Sequence, residues 1–219
     1  MLPAKPYLEP VRFGSDREGA KSQMPASVRT LRGLDWLNFV LSDVQTGGGP
    51  FLAIYLAAHQ WNEQQAGLAL TVGGIAGILA QTPAGALADR LRAKRLLIGV
   101  AVCALAVGAL VIALFPALWP VLAAQVLIGS TSSVFIPAIC AVSLGVVGRA
   151  AFDARQGRNQ TFNAAGNVFA AVSMGLLGYF VSNRSIFFFV VGAGVATIAV
   201  LFAINPRGSV QISVSQAAW

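Results

Sequence analysis

Charge is scarce in this chain of 219 residues, where Asp, Glu, Lys and Arg together make up 11% of the sequence. A typical soluble domain carries about a quarter charged residues. Hydrophobic residues make up 56%, and the mean hydropathy is +0.71. Such a chain cannot cover a water-facing surface with charge. The composition therefore excludes an ordinary soluble globular protein and indicates one embedded in lipid.

Cysteine and histidine are also scarce, which excludes several kinds of site. The two cysteines, Cys103 and Cys140, lie inside apolar runs, as buried and unreactive thiols do. They form neither a disulfide framework nor a metal-binding pattern. The single histidine, His59, has no serine or carboxylate constellation around it in the sequence. We therefore expect no enzymatic activity, no metal and no cofactor.

The chain instead contains long apolar runs. A membrane-crossing helix needs about 20 apolar residues, and runs of this length are helices and not barrel strands. The predicted transmembrane domain covers 34–205, between a basic, disordered tail at 1–33 and a short tail at 206–219. Its six predicted spans are 34–58, 65–88, 96–115, 118–147, 159–181 and 186–204.

The basic residues indicate how these spans are oriented. Of the 15 lysines and arginines, all but Arg184 fall in the first tail or after the second, fourth and sixth spans. This positive-inside bias predicts a multi-pass protein of the cell (inner) membrane with both termini in the cytoplasm. It also accounts for the net charge of +7 without nucleic acid. Anionic lipid headgroups are the ordinary partners of such residues.

The first predicted span carries a stripe of polar side chains. The stripe comprises Asp35, Asn38, Ser42 and Gln45 or Thr46, with Asp43 one step away from it. A carboxylate at this depth usually faces a bundle interior or a wet cavity. Three glycines and Pro50 follow the polar part and weaken the helix there. Broken helices of this kind surround many transport sites.

The fifth predicted span carries a matching polar face. Gln160, Asn163 and Asn167 recur at spacings of three and four. At 1.5 Å per residue, Asp43 and Asn167 both lie ~12–14 Å into their helices, so they can meet at one level. The two asparagines serve equally well as polar contacts that hold helices together, and both interpretations stay open.

Glycine spacing suggests an internal repeat. Gly73 and Gly85 in the second span match Gly166 and Gly178 in the fifth at a common offset of 93 residues. Inverted three-helix repeats are a common building unit of transporters. The predicted fold is thus an all-α membrane protein of six transmembrane helices in two inverted three-helix repeats.

The loop after the second span resembles the signature loop of the major facilitator superfamily. Gly85, Asp89 and Arg90 match its pattern, and Lys94 and Arg95 follow. Arg92 stands where the pattern usually has glycine. The resemblance covers about 34–205 and implies that this loop is a latch that stabilises one conformation of a transporter.

The resemblance has further implications for mechanism. The run from Asp43 to Phe51 and the run from Gly157 to Asn167 look like those of uncharacterised bacterial facilitator permeases. Gln125 stands where proton-coupled drug exporters carry an arginine. Proton coupling, if present, would therefore depend on Asp43.

Members of the superfamily usually have twelve spans in two halves, and six spans correspond to the amino-terminal half. The resemblance implies transport of a small solute together with a second half or a second copy. Two other interpretations stay open. In the first, the chain is a truncated, inactive remnant. In the second, it is a membrane scaffold or regulatory subunit whose basic face binds a partner.

Overall fold

The computed structural model describes residues 28–46, 49–91 and 93–203, which are helical and contain no strand. The helices are α1 (Val28–Thr46), α2 (Gly49–Ala58), α3 (Glu63–Arg90), α4 (Lys94–Leu114), α5 (Leu118–Ser132), α6 (Phe135–Val147), α7 (Phe152–Phe180) and α8 (Ser185–Ala203). A single 3-10 turn, Arg149–Ala151, joins α6 to α7.

Four helical stretches in the described part are long and apolar enough to cross a membrane. They are Glu63–Arg90, Lys94–Leu114, Leu118–Val147 and Ser185–Phe202. The other two predicted spans fall on the α1–α2 pair and on α7, which carry most of the polar side chains. The helical membrane class expected from the composition is therefore confirmed.

The run 118–147, predicted as one long span, is interrupted at Ser133 and Val134. Pro137 explains the break, because it stands four residues after Ser133 and has no N–H to donate to the Ser133 carbonyl. A turn bond from the Val134 amide to the Thr131 carbonyl, 3.1 Å, replaces the regular ladder. Pro50 likewise lies in the first turn of its helix, α2.

Two helices begin well before their predicted starts. α1 begins at Val28, so the last part of the tail predicted as disordered is helical. The buried Thr30 and Leu34 anchor this turn against the bundle. α7 begins at Phe152, before the predicted start at 159, so Arg155 and Arg158 lie on a helix and not in a loop. Residues 1–27 and 204–219, with most of the two predicted tails, lie outside the described residues.

The turn between α3 and α4 and the start of α3 are fixed by local hydrogen bonds. Asn62 caps α3 by accepting from the Gln65 amide at 2.8 Å, and the Gln65 side chain accepts from the Asn62 amide in return. At the other end of α3, Lys94 Nζ donates to the Ala88 carbonyl at 2.9 Å. Such pairing satisfies backbone groups that a helix end leaves free.

The helix contacts are symmetric under exchange of α1–α4 with α5–α8. α1 packs on α7 and α8, α5 packs on α3 and α4, and α4 packs on α8. Exchanging the two sets turns the α1–α7 contact into the α5–α3 contact and the α1–α8 contact into the α5–α4 contact. The bundle thus contains two equivalent pairs, α1–α7 and α3–α5.

Candidate functional site

Glycine sets the closest approach of helices in both pairs. A Cβ added to Gly166 of α7 would overlap the Phe39 carbonyl and the Ser42 hydroxyl of α1. A Cβ added to Gly129 of α5 would overlap the Gly73 carbonyl of α3. Only glycine permits such backbone contact, as in other membrane helix pairs. Gly73 and Gly166, the two residues related by the 93-residue offset, therefore both lie where their pair is tightest.

A buried ion pair joins the N-terminal halves of α1 and α7. Arg155 Nη2 donates to Asp35 Oδ1 at 2.7 Å, and both side chains are 4% exposed. Arg158 donates from Nη2 to the other oxygen, Asp35 Oδ2, at 2.8 Å, with its own side chain 59% exposed. One carboxylate thus receives two guanidinium groups from successive turns of α7.

The ion pair continues into α6 through a buried amide. Arg155 Nε donates to Asn159 Oδ1 at 2.8 Å, and Asn159 Nδ2 donates to Ser143 Oγ at 2.8 Å. Arg155 Nη1 also reaches the Leu31 carbonyl of α1 at 3.3 Å. We call Asp35, Arg155, Arg158, Asn159 and Ser143 the polar network. It ties α1, α6 and α7 together.

The chemistry of the network follows from its burial. A charge removed from water needs an opposite charge and hydrogen bonds to offset its lost hydration, and Asp35 has both. Arg158 lies before the predicted fifth span, and its pKa is raised by the hydrogen bond to Asp35 and then by the charge of Asp35. These residues hold helices in register, and none forms a nucleophile or a general base.

The candidate residues of α1 are described only in part. Asn38 and Ser42 are buried, and both donate to carbonyls of their own helix, to Leu34 and Phe39, at 2.7 Å. The side chains of Asp43, Gln45 and Thr46 lie outside the described residues. The predicted meeting of Asp43 with Asn167 therefore stays a prediction.

On α7, the predicted polar face contains one side-chain pair. Asn167 Nδ2 donates to Asn163 Oδ1 at 3.2 Å, and both residues are half-buried. Gln160 is exposed on the surface of the helix. Side chains four residues apart lie on the same face of a helix, and this spacing lets Asn163 and Asn167 form a hydrogen bond.

The predicted latch residues of the signature loop are accessible at the protein surface. Asp89 and Arg90 are exposed in the last turn of α3, and Asp89 makes no salt bridge within the described part of the chain. A Cβ at Gly85 would meet no atom within 4 Å, so no described helix packs closely on it. The three predicted latch residues are thus all accessible to a further partner.

Sequence reasoning missed the network as a site. It had placed Asp35 on the polar stripe, and it had assigned Arg155 and Arg158 to a basic cytoplasmic loop. The available signal was the spacing of Arg155, Arg158 and Asn159, three and four residues apart, which puts them on one helix face. An acidic residue in the first turns of α1 was the counterion that such a face needs.

Comparison with known proteins agrees with the resemblance seen in the sequence. Residues 36–218 match the family described as the Major Facilitator Superfamily. Two curated relatives are uncharacterised MFS-type transporters of Mycobacterium tuberculosis, from strain CDC 1551 / Oshkosh and strain ATCC 25618 / H37Rv. Each is 46% identical over 174 residues, which cover 79% of this chain and 41% of the relative. The chain therefore spans about two fifths of the length of these relatives.

Proposed function

The chain belongs to the Major Facilitator Superfamily, and on that premise we propose that it forms one half of a secondary transporter for a small solute. Its six spans make two inverted three-helix repeats in the cell (inner) membrane, with both termini in the cytoplasm. The complete transporter needs a second bundle. That bundle is a continuation of the same protein, a separate chain or a second copy.

The observation that carries the proposal is the exchange symmetry of the helix contacts. α1–α7 and α3–α5 are each parallel pairs, because residue numbers rise together along both contacts. Each pair closes on a glycine, and Pro50 and Pro137 lie in the first turns of α2 and α6. Repeated units of this kind are how transporter halves are built.

The uncovered faces of α3 and α7 support a second bundle as the missing partner. Apolar side chains cover both faces, including Ile78 and Leu79 on α3 and Val168 and Val172 on α7. In the superfamily the second and fifth spans lie at the junction of the halves. The solute path then lies along α1 and α5, beside Asp43, with Asp89 and Arg90 as the latch.

Cross-linking tests the two-bundle arrangement. Ile78→Cys and Val168→Cys, in a background without Cys103 and Cys140, are expected to cross-link to a second bundle in membranes. Leu96→Cys on α4 and Val195→Cys on α8 are the matched controls, since they are similarly exposed, at 68% and 64%. Equal cross-linking at all four positions, or at none, would contradict a specific junction at α3 and α7.

Charge removal at Asp43 tests the solute path. We expect Asp43→Asn to abolish solute uptake by proteoliposomes while the protein still inserts, because a mid-membrane carboxylate is retained for function. To measure uptake, the solutes retained by vesicles that contain the natural protein are compared with those retained by vesicles that contain the variant. Asp153→Asn, at an exposed position before the fifth span, is the control and should leave uptake unchanged.

A further inference from the structure

The two equivalent helix pairs differ in how the seam between their helices is filled. Aromatic rings fill the α1–α7 seam, where the ring centroid of Phe39 lies 5.7 Å from that of Trp36 and 5.6 Å from that of Phe169. Trp36 and Phe169 are 57% and 49% exposed, so the rings project from the bundle. We call Trp36, Phe39 and Phe169 the aromatic ridge.

The α3–α5 seam is open instead. It contains a groove of about 380 Å³, and none of the described residues that line this groove is aromatic or charged. Four of them are glycines, and a Cβ added to one of these, Gly74, would meet no atom within 4 Å. The groove can therefore accept large side chains from outside the bundle. We call it the α3–α5 groove.

The aromatic ridge and the α3–α5 groove lie at the same depth. Asp89 and Arg158 each stand one residue outside a predicted span, at the end of the bundle that carries the basic residues. Gly77 in the groove is 12 residues before Asp89, and Phe169 in the ridge is 11 residues after Arg158. At about 1.5 Å per residue, both lie ~16–18 Å from that end of their helices.

The same two helices carry opposite charges at this end. Asp89 of α3 is exposed and makes no salt bridge with the described residues. The side chain of Arg158 on α7 is 59% exposed, and it binds Asp35 through Nε and Nη2. A carboxylate and an exposed guanidinium at equal depth can pair across an interface. The faces of α3 and α7 thus complement each other in charge as well as in shape.

A two-fold axis along the membrane normal would bring these complementary features together. Such an axis exchanges left and right on the face of a bundle and leaves depth unchanged, so α3 of one copy meets α7 of the other. A two-fold interface uses the same surface on both subunits, and therefore needs a face that carries both a projection and its matching recess.

From the match in shape, depth and charge we infer that the second bundle is a second copy of this chain, whose aromatic ridge lies against the α3–α5 groove. The contact is reciprocal, because each copy supplies one ridge and one groove. Asp89 of each copy then lies near Arg158 of the other. The inference rests on the proposed transport function and names the partner which that function requires.

Disulfide cross-linking between two differently tagged copies tests this assignment. One copy carries Ile78→Cys beside the groove and the other carries Val168→Cys next to the ridge, at positions 71% and 66% exposed. Both full-length chains lack Cys103 and Cys140 and are coexpressed in membranes. We expect this mixed pair to cross-link faster, by about fivefold or more, than two copies that carry the same cysteine, because the axis brings α3 to α7 and not to α3.

Filling the groove tests the contact itself. Gly74→Phe should slow cross-linking of the mixed pair by about fivefold or more, because the new ring occupies the space of the partner's ridge. Gly192→Phe on α8 is the matched control, since a Cβ there also meets nothing within 4 Å, and it should leave the rate unchanged. Val107→Cys with Val195→Cys, on α4 and α8 and 52% and 64% exposed, should not cross-link.

Three results would each overturn the inference: no cross-linking of the mixed pair, equal rates for mixed and same-position pairs, or a Gly74→Phe variant that cross-links like Gly192→Phe. Cross-links from Ile78→Cys and Val168→Cys to a different protein alone would also overturn it, but would leave the proposed function in place with a separate chain as the second half. Cross-linking needs no solute, so a dimer that forms as expected but carries no solute would contradict only the proposed function.

Discussion

The α1–α7 and α3–α5 pairs have the same geometry and different chemistry. Each is a parallel pair with a glycine at its closest approach, at Gly166 and at Gly129. The α1–α7 pair is held at one end by a buried ion pair of Asp35 with Arg155. Among the described residues, the α3–α5 pair has no such ion pair, and the buried side chain of Gln125 on α5 makes no hydrogen bond.

This difference shows that close helix packing does not require an ion pair. Two helices can approach closely with glycine alone, as α3 and α5 do, so the ion pair of α1–α7 is not needed to form such a contact. A buried ion pair is weak evidence for added stability, but it specifies one arrangement, because breaking it is expensive. We therefore expect α1 and α7 to move as a unit, and α3 and α5 to be the more adaptable pair.

Of the substitutions that test this comparison, breaking the ion pair should lower the free energy of unfolding most. Arg155→Met leaves the buried Asp35 with only the exposed Arg158, and we expect the free energy of unfolding to fall by about 3–5 kcal/mol. Reversible unfolding in mixed micelles, followed by circular dichroism, measures it. The double variant Asp35→Leu, Arg155→Met should recover most of the loss, and Arg149→Met, at an exposed arginine, is the control. A single variant as stable as the natural protein would show that the ion pair does not hold the helices.

Adding a methyl group at each closest approach should have an intermediate effect. Gly166→Ala and Gly129→Ala each push a Cβ into backbone atoms, and overpacking of this kind costs about 1–3 kcal/mol. Gly175→Ala and Gly74→Ala are the matched controls on α7 and α3, since a Cβ there meets nothing within 4 Å. A variant at Gly166 or Gly129 that is as stable as its control would show that its helix pair does not close on backbone contact.

The sequence predicts much of this fold and less of its polar contacts. Long apolar runs and basic loops predict helices, and the spacing of Asn163 and Asn167 predicts a shared face. The partner of Asp35 is not predictable in this way, because Arg155 lies far along the chain and resembles an ordinary cytoplasmic arginine. Only the three-dimensional packing brings the two together.

The break in the fourth span was missed for another physical reason. Hydropathy treats 118–147 as one apolar run, since Ser132 and Ser133 are too few to lower its average. The signal was Pro137, which removes one hydrogen bond from the ladder and frees the Ser133 carbonyl.

The smallest expected effect distinguishes two buried amides, Asn38 of α1 and Gln125 of α5, which are 87 residues apart. Gln125→Leu removes an unpaired polar group and keeps a similar volume, so the free energy of unfolding should stay within ~0.5 kcal/mol or rise. Asn38→Leu removes a bonded amide and should lower it by about 0.5–1.5 kcal/mol. The same micelle unfolding assay gives both values. A loss in Gln125→Leu as large as in Asn38→Leu would mean that Gln125 has a structural partner in the membrane, and the two pairs would then be alike in chemistry as well as in geometry.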